Sequence, residues 1–250
     1  MSEGVAMYLR GFRLPTMAQL AEEAMARAEA EDWGYRRLLT FLCESEYQER
    51  QRRRIQRLLA ESNLPPDKTL GNLDEKLFPA AIRRQLASLL DGGFVDRAEN
   101  ILAVGLPGRG KTHFLAALAR ELVTRHQRRV LFVRSDVLIE RLLRARADLH
   151  LEAELHRLNR YAAIVVDELG YTEHHREQME VFFQFVSDSY ERRSLLISSN
   201  LVFSQWDRIF KDAMTSMATV DRLMHHSHVL LFTNEGIRNP KAKAKCPPEE

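Results

Sequence analysis

Gly105-Leu-Pro-Gly-Arg-Gly-Lys-Thr112 decides how the rest of this chain is read. It fits the pattern G-x-x-x-x-G-K-[ST], in which glycines let the backbone curl so that consecutive N–H groups point at an anion. In that pattern Lys111 reaches the β- and γ-phosphates of a nucleotide, and the Thr112 hydroxyl holds Mg²⁺. A helix starting at the loop aims the positive end of its dipole at the same anion. The candidate cradle is Gly105, Leu106, Pro107, Gly108, Arg109, Gly110, Lys111 and Thr112. His113, next to it, is a packing residue or a phosphate-side hydrogen-bonding group.

The flanks supply what the loop needs. Asn100–Val104 is a short apolar run ending at a glycine, which predicts a buried strand. Thr112–Arg125 carries apolar residues at 114, 115, 118, 119 and 122, a helical stripe. Further strands are expected at Arg129–Arg134, Tyr161–Glu168, Ser194–Asn200 and His228–Thr233. Helices are expected between them, with the stretch Asp136–Ala147 capped by Ser135 or Asp136. Strands alternating with helices predict an α/β fold with a parallel sheet covered on both faces.

Bulk properties narrow the class. A chain of 250 residues, 45% hydrophobic and 29% charged, has the composition of an ordinary soluble globular protein. The net charge of +2 is too small to argue for nucleic acid by itself, so the distribution of charge has to carry that case. Cys43 and Cys246 follow no metal or disulfide spacing, which fits a reducing, cytoplasmic setting. The apolar run Ala162–Val166 is far short of a membrane span, and no membrane partner is expected.

Ahead of the loop, Leu14–Glu31 and Tyr35–Ser62 read as amphipathic helices. Pro65-Pro66 then forces an extended path, which sets a domain boundary. The expected division is a helical domain at 1–66, a nucleotide domain at 67–239 and a disordered tail at 240–250. Lys68–Phe78 reads as a loop, and the helix Pro79–Leu90 is expected beside the base and ribose. Arg50, Arg53, Arg54 and Arg57 recur at i, i+3, i+4, i+7 and share one helix face, which suits phosphates of duplex DNA. The plainer alternative is a solvated face balanced by Glu44, Glu46 and Glu49.

Beyond the loop, Asp167 and Glu168 close an apolar strand at the sheet edge where the loop also sits. Asp167 is the candidate Mg²⁺ ligand together with Thr112. Glu168 is the candidate base for the water that attacks the γ-phosphate. Asn200 closes the next strand, either as a sensor of the γ-phosphate or as the cap of a following helix. Arg222 ends a helix before the last strand. There it can stabilise transition-state charge in a neighbouring subunit, pair with Asp221, or bind the helix end. Arg238 is a weaker phosphate candidate. His225, His226 and His228 are expected to be dispersed rather than to hold a metal, and Phe203, Trp206 and Phe210 to be core.

Taken together, these stretches resemble the IstB-like transposition helper ATPases. The resemblance runs through Gly105–Leu118, Val166–Tyr171, Glu191–Ser194, Ser199-Asn200, Gln205-Trp206 and Asp221–Leu223. That family belongs to the AAA+ initiator and helicase-loader group, with DnaC and DnaA as relatives. The resemblance implies a P-loop AAA+ five-stranded parallel sheet, a preceding helical DNA-binding domain and no C-terminal lid. It also implies ATP hydrolysis with Mg²⁺, assembly into a homo-oligomer on duplex DNA, and help to a cognate transposase in engaging its target. Leu149–Asn159 is similar to the extra helix of that group, which makes Arg141, Arg144 and Arg146, with Arg157 and Arg160, a second candidate DNA surface. A replicative helicase loader is the alternative. Intact Lys111, Asp167 and Glu168 argue against a non-hydrolysing nucleotide-gated scaffold. Two departures stand out: Arg109, where a small or aliphatic residue is usual, and Thr233–Arg238, which lacks the usual Gly-x-Ser-x-Arg.

Overall fold

The computed structural model describes residues 2–170, 175–201, 205–206 and 213–233. Phe203, Phe210, Arg238 and residues 240–250 lie outside them, and so does the expectation about a C-terminal lid.

The chain divides into two compact units, residues 1–57 and 58–250. The first holds α1 (Ser2–Gly11), α2 (Pro15–Ala30) and most of α3 (Tyr35–Glu61). Alanines at 18, 21, 24 and 28 form the buried stripe of α2, which lets neighbouring backbone come close. Glu46, on α3, is 4% exposed and takes the Thr16 and Met17 N–H groups at 2.8 and 3.0 Å. It thereby satisfies donors that the first turn of α2 cannot pair itself. The division falls within α3, ahead of Pro65-Pro66, because Leu58 and Leu64 are buried in the core of the larger unit.

That larger unit opens with a short 3₁₀ turn at Glu75–Leu77, then α4 (Ala80–Leu90) and the one-turn α5 (Gly93–Asp96). Then come β1 (Asn100–Val104), α6 (Lys111–Thr124), β2 (Val130–Arg134), α7 (Ser135–Ala147) and α8 (Leu151–Leu158). β3 (Ala163–Leu169), α9 (Arg176–Ser189), β4 (Ser194–Ser199), α10 (Ala213–His225) and β5 (Ser227–Leu231) complete it. The five strands are parallel in the order β2-β3-β4-β1-β5.

The strand period of two sorts the core. Ile101, Ala103, Ala163, Val165 and Leu196 face one apolar cluster with α4 and α6. Leu102, Ile164, Val166, Leu195 and Ile197 face another with α7, α9, Leu158 of α8 and Leu223 of α10. Trp206 is buried in the second cluster, as expected. The apolar face of α4 goes into the first cluster. Phe78, Phe114 and Phe232 meet edge to face at 5.6–5.9 Å between centroids.

β3 runs past its two acids to Leu169 instead of ending at them. Its register with β4 shifts between Val166 and Leu169, so that Asp167 and Glu168 together lie opposite Ser198. This is a β-bulge, a device that re-aims side chains at a sheet edge. The α7 start also differs from expectation. The residue in the cap position is Arg134, with no side-chain cap bond, and Ser135 is the first helical residue. Its hydroxyl is spent elsewhere, on the Glu168 carbonyl at 3.0 Å.

Candidate nucleotide site

Parallel strands put their carboxyl ends on one edge, and loops there build the site. β1 delivers the glycine loop, β3 the two acids and β4 Asn200. Gly105 (φ +153°) and Gly110 (φ +89°) hold backbone conformations that side chains other than glycine rarely adopt. Gly110 occupies the cap position of α6, which starts at Lys111 and so points its N-terminus into the loop.

The side chains converge. Lys111 is 6% exposed, and its ammonium donates to the Gly105 and Leu106 carbonyls at 2.5 and 2.9 Å and to Asn200 Oδ1 at 2.7 Å. Asn200 therefore belongs to the same polar cluster as the loop. Thr112 Oγ1 donates to Asp167 Oδ1 at 2.8 Å, and Ser198 Oγ donates to the same oxygen at 2.5 Å. Asp167 is buried, and these two hydroxyls give that oxygen its hydrogen-bond partners. Two hard oxygen donors side by side suit Mg²⁺. Loop, Lys111, Thr112, Glu168 and Asn200 line a cleft of about 500 Å³, within the usual range for a small-molecule site.

Several lining residues were not legible in the sequence. Lys68 lines the cleft from the segment before α4, and His113 Nε2 lies 3.1 Å from the Thr69 carbonyl. His113 thus tethers that segment to α6. Arg134 lines the cleft from the end of β2, where it is in register with Asp167, and pairs with Asp136 at 2.5 Å. Ser198 also lines it. A Ser-Ser pair closing a strand with an apolar middle was the available signal for Ser198; for Arg134 it was the position at a strand end.

Arg222 sits apart. α10 leads into β5, whose first residue pairs with Asn100 at the start of β1, so Arg222 lies towards the sheet edge opposite the loop. It donates to Ser187 Oγ at 2.7 Å and its guanidinium lies 4.7 Å from the Phe183 ring centre. Asn100 fixes this corner: its amide donates to the Leu223 carbonyl at 3.1 Å and accepts from the Leu195 N–H at 2.9 Å.

The arginine faces are not uniform. Arg50 pairs with Glu46 at 2.8 Å and also donates to the Arg13 carbonyl, which braces the helical unit. Arg53 pairs with Glu49 at 2.7 Å. Arg52 and Arg53 together hold the Glu49 carboxyl down to about 2. Arg54 and Arg57 are exposed and make no ion pair among the described residues. Arg141, Arg144 and Arg146 all meet carboxylates, those of Glu154, Glu140 and Glu180. A groove of about 610 Å³ between α7 and α8 has mixed charge for this reason.

The histidine stretch is less dispersed than the sequence predicts. The rings of His225 and His226 are 4.1 Å apart, and Glu191 brings its carboxylate within 4.8 Å of their nitrogens. His228 turns to Glu99 at 3.0 Å, because β5 carries it to the other side of the turn.

The IstB-like ATP binding protein family profile matches residues 7–245. A protein of Sinorhizobium fredii, provisionally named an insertion sequence ATP-binding protein, is 35% identical over 239 residues, 95% of this chain and 80% of its own. The provisionally named IS21 ATP-binding protein of Pseudomonas aeruginosa is 32% identical over 92% of this chain and 86% of its own. Among solved structures, the DnaC helicase loader aligns with a TM-score of 0.54 at 18% identity, over 61% of this chain and 88% of that one. The replication initiator DnaA bound to AMPPCP and single-stranded DNA aligns at 0.58 and 15%, over 70% and 52%. At such identities these two structures establish the fold alone, the P-loop AAA+ arrangement.

Proposed function

Because the chain belongs to the IstB-like ATP-binding protein family, we propose that it hydrolyses ATP with Mg²⁺, assembles on duplex DNA and serves a cognate transposase in the cytoplasm. The observation that supports this reading is the meeting of two hydrogen-bonded pairs, Lys111 with Asn200 and Thr112 with Asp167, at the cleft that Lys111, Thr112, Asn200 and Glu168 line. In this scheme the loop N–H groups and Lys111 neutralise the phosphates. Thr112 and Asp167 would hold Mg²⁺, which would supply charge neutralisation at the phosphates when bound. Glu168 takes a proton from the attacking water, and Asn200 orients that water or the γ-phosphate. Arg222 cannot serve its own cleft from the opposite sheet edge, so its role is assigned to a neighbouring subunit. Arg54 and Arg57 are the foremost proposed DNA contacts, while Arg50, Arg53, Arg141, Arg144 and Arg146 reach phosphate only by giving up the carboxylates of Glu46, Glu49, Glu154, Glu140 and Glu180.

Relatives with insertion-sequence names at 35% and 32% identity favour the transposition role over a helicase loader, whose likeness is one of fold. Among the described residues no helix is long and apolar enough to cross a membrane. Phosphate release with and without duplex DNA tests the proposal. Lys111→Ala abolishes nucleotide binding, and Glu168→Gln keeps binding but loses turnover by about 10²-fold or more. Arg54→Ala with Arg57→Ala weakens duplex binding and lowers its salt slope by about 0.9 per lost phosphate contact. Undiminished turnover in Glu168→Gln, or an unchanged slope, sinks the corresponding part.

A further inference from the structure

We propose that Ser135 and Ser198 are positioning residues for hydrolysis, gripping the backbone on both sides of Glu168 and thereby fixing where its carboxylate points. The proposal rests on the reading of Glu168 as the base. It is carried by geometry around one residue.

Glu168 has φ +61°, the left-handed region that residues with a Cβ seldom occupy. It stands in the β3 bulge, where two residues face Ser198 alone. A bulge interrupts the ladder, so a backbone N–H there needs a partner from outside it. Ser198 Oγ supplies that partner, accepting from the Glu168 N–H at 2.8 Å. Ser135 Oγ donates to the Glu168 carbonyl at 3.0 Å from the other side. Both serines are nearly inaccessible, at 1% and 3% exposure. They come from different elements, β4 and the first turn of α7.

The direction of a side chain follows from the backbone torsions at its Cα. Without the two hydroxyls the peptide groups around Glu168 would relax towards commoner torsions, and the carboxylate would swing with them. Proton transfer needs heavy-atom distances of about 2.6–3.2 Å, so a displacement near 1 Å costs up to about 10²-fold in rate. Ser198 has a second task, because the same oxygen donates to Asp167. Ser135 lies outside the cleft lining and makes its side-chain bond to Glu168, so it is the cleaner probe.

The test uses the full chain with Mg²⁺ and ATP, comparing Ser135→Ala, Ser135→Thr, Ser198→Ala, Ser198→Thr and Glu168→Gln. Ser135→Ala is expected to lower kcat by about 10- to 100-fold, with KM for ATP and the affinity for a fluorescent ATP analogue within about two-fold. Ser135→Thr, which keeps the hydroxyl, restores kcat. Ser198→Ala loses turnover and also needs more Mg²⁺ for half-maximal rate, and Ser198→Thr reverses both. Thermal melts report folding, and the threonine variants keep the test decisive if an alanine variant does not fold. Wild-type kcat in Ser135→Ala, with Glu168→Gln inactive, overturns the grip. So does a loss that follows melting temperature and is not restored by threonine. Full activity in Glu168→Gln overturns instead the reading on which the grip rests.

Discussion

Gly105 stands where β1 turns into the nucleotide loop, and a Cβ there would come 2.5 Å from the Phe232 carbonyl oxygen. Its φ of +153° would be strained for any other residue. Gly105→Ala is therefore expected to lose about 2–4 kcal/mol of stability, strain and steric overlap together, and to bind ATP poorly. Urea melts and nucleotide titration check both, and a variant of wild-type stability would contradict the close approach. Around this glycine, single residues divide by how visible they were. Lys111, Thr112, Asp167 and Glu168 were legible because phosphate and Mg²⁺ chemistry prescribes residue types at fixed spacing. Lys68 and Arg134 were not, because they reach the cleft from loop and strand ends whose neighbours are set only by folding.

At the scale of elements, α3 shows why a charge pattern does not determine a role. Its arginines share a face, yet Arg50 is drawn into a structural network with Glu46, whose carboxylate holds the first turn of α2. Burial would raise the Glu46 pKa, but the Met17 N–H, the Arg50 guanidinium and the Thr16 N–H outweigh it, and the pKa lies below 4.5. A lowered folded pKa means that the carboxylate stabilises the helical unit fully above the unfolded value. That contribution is lost as pH falls below 4.5 and through the folded value. Glu46→Gln should cost about 1–3 kcal/mol at pH 7, and the cost should shrink as pH falls below 4.5. Acid titration followed by circular dichroism measures it, and a pH-independent difference would reject the account. The expected helix cap at Ser135 failed for a related reason: its hydroxyl found a longer-range acceptor in Glu168. Local propensity ranks caps, but a tertiary bond decides which one is used.

For the whole molecule, the distance between Arg222 and its own loop is the decisive layout. α10 delivers the arginine to the edge from which β5 starts, while the residues proposed to bind phosphate gather at the opposite edge. A role in catalysis then requires a second subunit. Lys111→Ala and Arg222→Ala should each be inactive alone and recover turnover when mixed, because one supplies the arginine and the other an intact cleft. Statistical mixing in a ring with full complementation recovers about a quarter of the wild-type rate. Mixtures as inactive as their components would refute a role across subunits.

Spacing along the chain was enough to determine the alternating α/β order, the parallel sheet and the glycine loop at the carboxyl edge of that sheet. Those follow from local periodicity and from residue types that phosphate binding cannot do without. Only the tertiary structure decided the bulge that turns Glu168, the two serines that hold it, and which arginines are spent on internal carboxylates. The physical reason is the same in each case. These features depend on partners far apart in sequence, such as Ser135 and Glu168 or Arg146 and Glu180, which come into hydrogen-bonding range only once β2, β3, β4 and their helices have packed.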